Sequence, residues 1–66
     1  MAVENARKYV EYMRIAERFL KLARESPSRS VRMSKRAQAA EWLERAETIP
    51  LSDAAKLTAQ RYLELG

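Results

Sequence analysis

Two prolines and a single glycine punctuate this chain, and each stretch between them repeats its apolar residues at the helical period. Pro27 and Pro50 both disfavour a helix running through them, and the glycine, Gly66, stands at the C-terminal end. The chain is therefore restricted to three helical segments with short connections. It shows no strand-period alternation, no internal repeat and no low-complexity tract. Short connections make successive helices antiparallel neighbours. The expected fold is all-α, an antiparallel up-down-up three-helix bundle with one domain over residues 1–66 and helices at about 3–25, 27–48 and 52–65.

In the first segment Ala6, Tyr9, Met13, Ala16, Phe19, Leu20 and Ala23 form a stripe that Tyr12, Ile15 and Leu22 widen to about half the helix circumference. The opposite face offers Glu4–Lys8, Arg7–Glu11, Glu17–Lys21 and Lys21–Glu25 at ion-pair spacing. The second segment is expected to start at an N-cap Ser26 with Pro27 in the first helical position, and to end near Thr48 because Pro50 disfavours helical geometry at Ile49. Its stripe is Val31, Ala39, Trp42, Leu43 and Ala46, with Ala40 beside it. In the third, Ser52 or Asp53 caps, and Ala54, Leu57, Thr58, Tyr62 and Leu65 form the apolar face.

Composition excludes several classes of chemistry. Of the large apolar residues too few are present for a generous core, because 11 of the 66 residues are alanine. No cysteine means no disulfide, no thiolate nucleophile and no zinc-thiolate site, and no histidine removes the commonest general base and metal ligand. Glu41 and Glu44 share a helix face, but acids in that pattern form surface pairs such as Glu41–Arg45. No catalytic, metal or cofactor site is expected. There is neither a membrane-length apolar run nor a signal peptide, so a cytoplasmic protein is expected.

The net charge of +4 is spread unevenly. Arg18, Lys21, Arg24, Arg29, Arg32, Lys35 and Arg36 stand against one acid, Glu25, for a local charge of +6 around the first break. Arg18, Lys21 and Arg24 suit the C-terminal end of a helix, whereas Arg29, Arg32, Lys35 and Arg36 oppose the dipole at the start of one. The pattern fits a solvated end, an anionic partner such as nucleic acid, or an orienting surface for a partner helix. A helix-turn-helix over the last two segments is disfavoured, since Lys56, Gln60 and Arg61 are all it would offer a groove and Glu64 opposes them.

"YMRIAERFLKLARE" (Tyr12 to Glu25) followed by "RAQAAEWLERAE" (Arg36 to Glu47) resembles the last two helices of the microtubule-interacting-and-trafficking (MIT) domains, modules of ESCRT-associated ATPases and related proteins. Tyr12, Ala16, Phe19 and Leu20 match the family's middle helix; Arg36, Ala37, Trp42, Leu43, Glu44, Arg45, Ala46 and Glu47 match its last. The family places a helix before this hairpin, whereas here the segment Leu51 to Leu65 follows it. The resemblance implies a groove between the first two helices that receives a partner helix. Leu43 would line its pocket, Glu47 would meet a basic ligand side chain, and Ala39, Ala40 and Ala46 would keep its floor shallow.

The leading expectation is thus a non-enzymatic protein-interaction module for an amphipathic helix or acidic segment. The alternative is a small basic nucleic-acid-binding or regulatory protein using Arg18 to Arg36. The width of the first stripe against so short a third segment adds a homodimer through helix one, at Tyr9, Tyr12 and Ile15 or at Phe19 and Leu22.

Overall fold

The computed structural model describes the backbone of residues 2–65 and the side chains of residues 4–65. It contains α1 (Ala2–Glu25), α2 (Arg29–Glu47) and α3 (Asp53–Leu65), and no strand among the described residues. Tyr12 meets Trp42 and Phe19 meets Lys35, so α2 descends as α1 rises. Asn5 bonds the Pro50 carbonyl, Tyr9 bonds Gln60, and Arg14 lies over Tyr62, so α3 rises alongside the N-terminal half of α1. A helix of α3's 13 residues spans about 20 Å against about 36 Å for the 24 of α1. The backbones of α2 and α3 do not pack on each other among the described residues. The result is an open bundle with α1 in the middle. Its radius of gyration is 13.0 Å, where a compact chain of this length would have about 11 Å.

The helix ends show how the breaks are made. Ser26 closes α1, its N–H donating to the carbonyls of Leu22 at 3.1 Å and Ala23 at 3.3 Å. Its Oγ accepts from the Ser28 N–H at 3.3 Å, inside the connection, and does not cap the next helix. The N-cap of α2 is Ser28, two residues later than the expected Ser26. Its extended backbone (φ −83°, ψ 124°) lets Oγ accept from the Val31 N–H at 3.4 Å. Pro27 therefore lies in the connection. Helix α2 ends as expected, with Thr48 as C-cap donating its hydroxyl to the Arg45 carbonyl at 2.7 Å. For α3 the cap is Ser52, whose Oγ accepts from the Ala55 N–H at 3.1 Å, while Asp53 sits in the first turn.

Two packing styles hold the helices. Between α1 and α2 the buried residues are alanines at seven-residue spacing, Ala16 and Ala23 on one helix and Ala39 and Ala46 on the other. Side chains this small favour the short end of the interaxial range, about 8 Å. Half-buried Tyr12 and Trp42 close one rim, their rings 5.3 Å apart and inclined by 58°. Where α3 joins, Tyr9 is buried to 1% exposure against Ile49 and Ala59, with Val10, Met13 and Leu51 around them. Its hydroxyl accepts a hydrogen bond from Gln60 Nε2 at 3.3 Å.

The expected apolar face of α3 is out of phase. Ala54, Leu57, Thr58, Tyr62 and Leu65 are all exposed, and the packed residues are Ala55, Ala59 and Leu63. Both sets have helical spacing, so periodicity admits either; the alanine face is the one that fits against Tyr9. Val31 on α2 is likewise exposed. The expected same-helix ion pairs are not closed either. Among the described residues the one ion pair is Lys56–Glu47, at 3.3 Å. Exposed pairs gain little, and three cations lie over rings instead: Arg14 on Tyr62, Lys35 on Phe19, and Arg45 on Trp42 rather than against Glu41.

Candidate functional site

The connection between α1 and α2 brings the end of one helix beside the start of the other, and with them the basic residues. Arg18, Lys21, Arg24, Arg29 and Arg36 are exposed there. Arg32 and Lys35, expected in the same patch, are half-buried and occupied. Arg32 Nη1 donates to the carbonyls of Ser26 at 3.2 Å and Pro27 at 3.1 Å, which clamps the turn. The Lys35 ammonium lies 5.5 Å from the centre of the Phe19 ring. A cation near the start of α2 thus serves the preceding turn, and the dipole penalty is offset by charge-assisted bonds. Five of the seven expected basic residues remain open to solvent.

On α1 the cations border a shallow depression of ≈ 770 Å³ lined by Arg14, Glu17, Arg18, Leu20, Lys21 and Arg24. Four bases face one acid there, and none of them closes an ion pair among the described residues. The depression lies further along α1 than the stretch α3 covers. Next to it, between α1 and α3, runs a second groove of ≈ 710 Å³. Ala6, Val10, Ala55 and Ala59 line its apolar part, and Arg7, Glu11, Arg14, Thr58 and Tyr62 complete it. Arg14 belongs to both, its guanidinium 5.8 Å from the Tyr62 ring centre.

Arg14 and Tyr62 were not legible as site residues. Arg14 belongs to the polar face of α1, and the signal lay in its spacing, four residues before Arg18 and seven before Lys21, which puts all three on one line. Tyr62 was concealed by the phase ambiguity of α3.

The positions that the MIT likeness assigns to a partner groove separate in space. Ala39 and Ala46 are fully buried in the α1/α2 contact, so no ligand can touch them as a floor. Ala40 is exposed and Leu43 is 36% exposed, on the outer flank of α2. Glu47 is exposed, with a carboxylate oxygen 3.3 Å from Lys56 Nζ. Of the residues expected at a dimer face, Tyr9 is buried, Tyr12, Ile15 and Phe19 are half-buried, and Leu22 is exposed. Among the described residues no cluster of acidic side chains could hold a metal, and no helix is long and apolar enough to cross a membrane. Compared with protein-family models, curated proteins and solved structures, the chain matches none.

Proposed function

We propose that this chain is a non-enzymatic binding protein for a polyanion, nucleic acid by preference, acting through the basic end of the α1/α2 hairpin. The observation that supports it most is the exposure of Arg18, Lys21, Arg24, Arg29 and Arg36 without an acid in ion-pair reach among the described residues. The helix dipole accounts for Arg24 in the last turn of α1, but not for Arg29 and Arg36 crowded beside it. Binding a phosphate backbone accounts for them, because each neutralised phosphate releases condensed counterions. The test is titration of a labelled 20-base-pair duplex, and of one of its strands, across a salt series. Four phosphate contacts correspond to log–log slopes of about −3.6 on duplex and about −2.8 on single strand. Changing Arg18, Lys21 and Arg24 together to Gln removes most of that slope. Absence of binding at low salt to either probe overturns the proposal.

A second reading, the MIT-like one, has a specific observation in its favour. Leu43 and Ala40 are exposed on a flank of α2 that α3 does not cover, and a partner helix needs such an apolar strip. Leu43→Asp would abolish capture of a partner helix while leaving nucleic-acid binding intact. The exposure of Leu22 on the uncovered half of α1 favours self-association in the same way. A dimer there is strengthened by salt, which screens its like charges, whereas nucleic-acid binding is weakened. Sedimentation equilibrium at low and high salt separates the two.

A further inference from the structure

The inference rests on the polyanion-binding function proposed above and deepens it. We infer that the ligand is a single-stranded nucleic acid, with a base stacked on Tyr62 and the backbone following Arg14, Arg18, Lys21 and Arg24. Tyr62 is 61% exposed, although it projects from a helix with apolar surface to bury. It stands at the edge of the groove between α1 and α3, and Arg14 at its ring also borders the basic depression. An aromatic plane is therefore continuous with a row of cations. From Arg14 to Arg24 the row climbs about 15 Å along a single helix, a length suited to a few nucleotides of one strand.

Phosphate contacts alone give no use for the other half of the arrangement. A duplex keeps its base faces stacked inside and offers only its backbone and groove edges, so it would engage the cations and leave Tyr62 idle. An unpaired base presents its face, and base–aromatic stacking beside a basic track is the general mode of single-strand binding. The apolar floor at Val10 and Ala59 can take the edge of such a base, in a groove that Arg7, Glu11 and Arg14 also line. Polyglutamate would satisfy the cations equally but has no aromatic face for the ring.

The experiment uses a fluorescein-labelled 20-residue oligothymidylate, a 20-base-pair duplex and polyglutamate as competitor, with the whole chain at one low salt concentration. The strand is expected to bind more tightly than the duplex and to resist polyglutamate. Tyr62→Ala should weaken strand binding by about 5- to 150-fold, the range of one lost stacking contact, and leave duplex binding unchanged. Tyr62→Phe, which keeps the ring, should restore it. Circular dichroism checks that the variants fold, as the exposure of Tyr62 implies. Wild-type affinity of Tyr62→Ala for the strand overturns the inference while leaving polyanion binding in place. So does tighter binding to the duplex. Displacement by polyglutamate at equal charge points to an acidic protein instead and also overturns it. Failure of both nucleic-acid probes to bind defeats the underlying proposal as well.

Discussion

The two sides of α1 are built on different principles. Against α2 it sets alanines, in a contact that runs the length of the hairpin and buries little per residue. Against the Ile49–Leu51 connection and α3 it sets Tyr9, in a contact that is short but dense. Hydrophobic stabilisation follows apolar area removed from water, so the tyrosine corner supplies far more per residue than the alanine seam. The fully buried large side chain stands at one end of the molecule and the exposed, unpaired cations of the hairpin at the other. A hairpin end that carries little of the core can hold unpaired cations at small cost, which is what a surface reserved for an anion requires.

The largest effect is expected at Tyr9. Tyr9→Ala removes the one large side chain that is fully buried among the described residues, and with it the hydrogen bond from Gln60. A loss of about 3–5 kcal/mol is expected, a large share of the roughly 3–10 kcal/mol that a chain of 66 residues has in total, read as a lowered midpoint in chemical denaturation. A loss below 1 kcal/mol would mean that the corner is not the seat of stability.

Next in size is the seam. Ala39→Leu forces a large side chain into a contact fitted to a methyl group, at a cost of about 1–3 kcal/mol. The same change at Ala40, one residue along and exposed, should fall within about 0.5 kcal/mol of the parent. Equal effects at the two positions would show that the alanine spacing does not define the contact.

The seam also contains a defect. Gln38 Oε1 is buried without a hydrogen-bond partner, and Gln38→Met keeps the length of the side chain while removing that desolvated acceptor. Stabilisation of about 1 kcal/mol is expected, seen as a rise in Tm of about 4–8 °C. An unchanged or lower Tm would show that the amide is satisfied in solution.

What was legible in the sequence was whatever depends on neighbours along the chain. The three helices, the stops at the prolines, the end of α2 at Thr48 and the shortness of α3 relative to α1 all follow from local chemistry. What was not legible depends on which of two spacings meets another helix. Ala55 and Ala59 compete with Leu57 and Tyr62 for the inner face of α3, and hydrophobicity favours the wrong pair, because the partner surface already holds a tyrosine that needs small residues opposite. Arg32 is a similar case. It reads as one more surface cation until the carbonyls of Ser26 and Pro27 are seen turned toward it. Within the candidate site, the exposed cations could be read from charge counting, whereas Arg14 with Tyr62 needed the third dimension.

The smallest effect is expected where α3 approaches the end of α2. Lys56 Nζ and Glu47 Oε2, 3.3 Å apart, make the one ion pair among the described residues, and it links α3 to α2. If α3 is held by the tyrosine corner, this pair is an accessory. A double-mutant cycle with Lys56→Met and Glu47→Gln should then give a coupling of about 0.5 kcal/mol. The Glu47 carboxylate is largely open to solvent, so that coupling should fade toward zero in about 1 M salt, where the screening length falls to about 3 Å. A coupling above about 2 kcal/mol that salt leaves untouched would overturn the picture of α1 as the sole support of α3. The same cycle bears on the partner-helix reading. A ligand cation that meets Glu47 must first displace Lys56, so Lys56→Met should tighten capture of a basic amphipathic helix and leave strand binding along Arg14 to Arg24 unchanged.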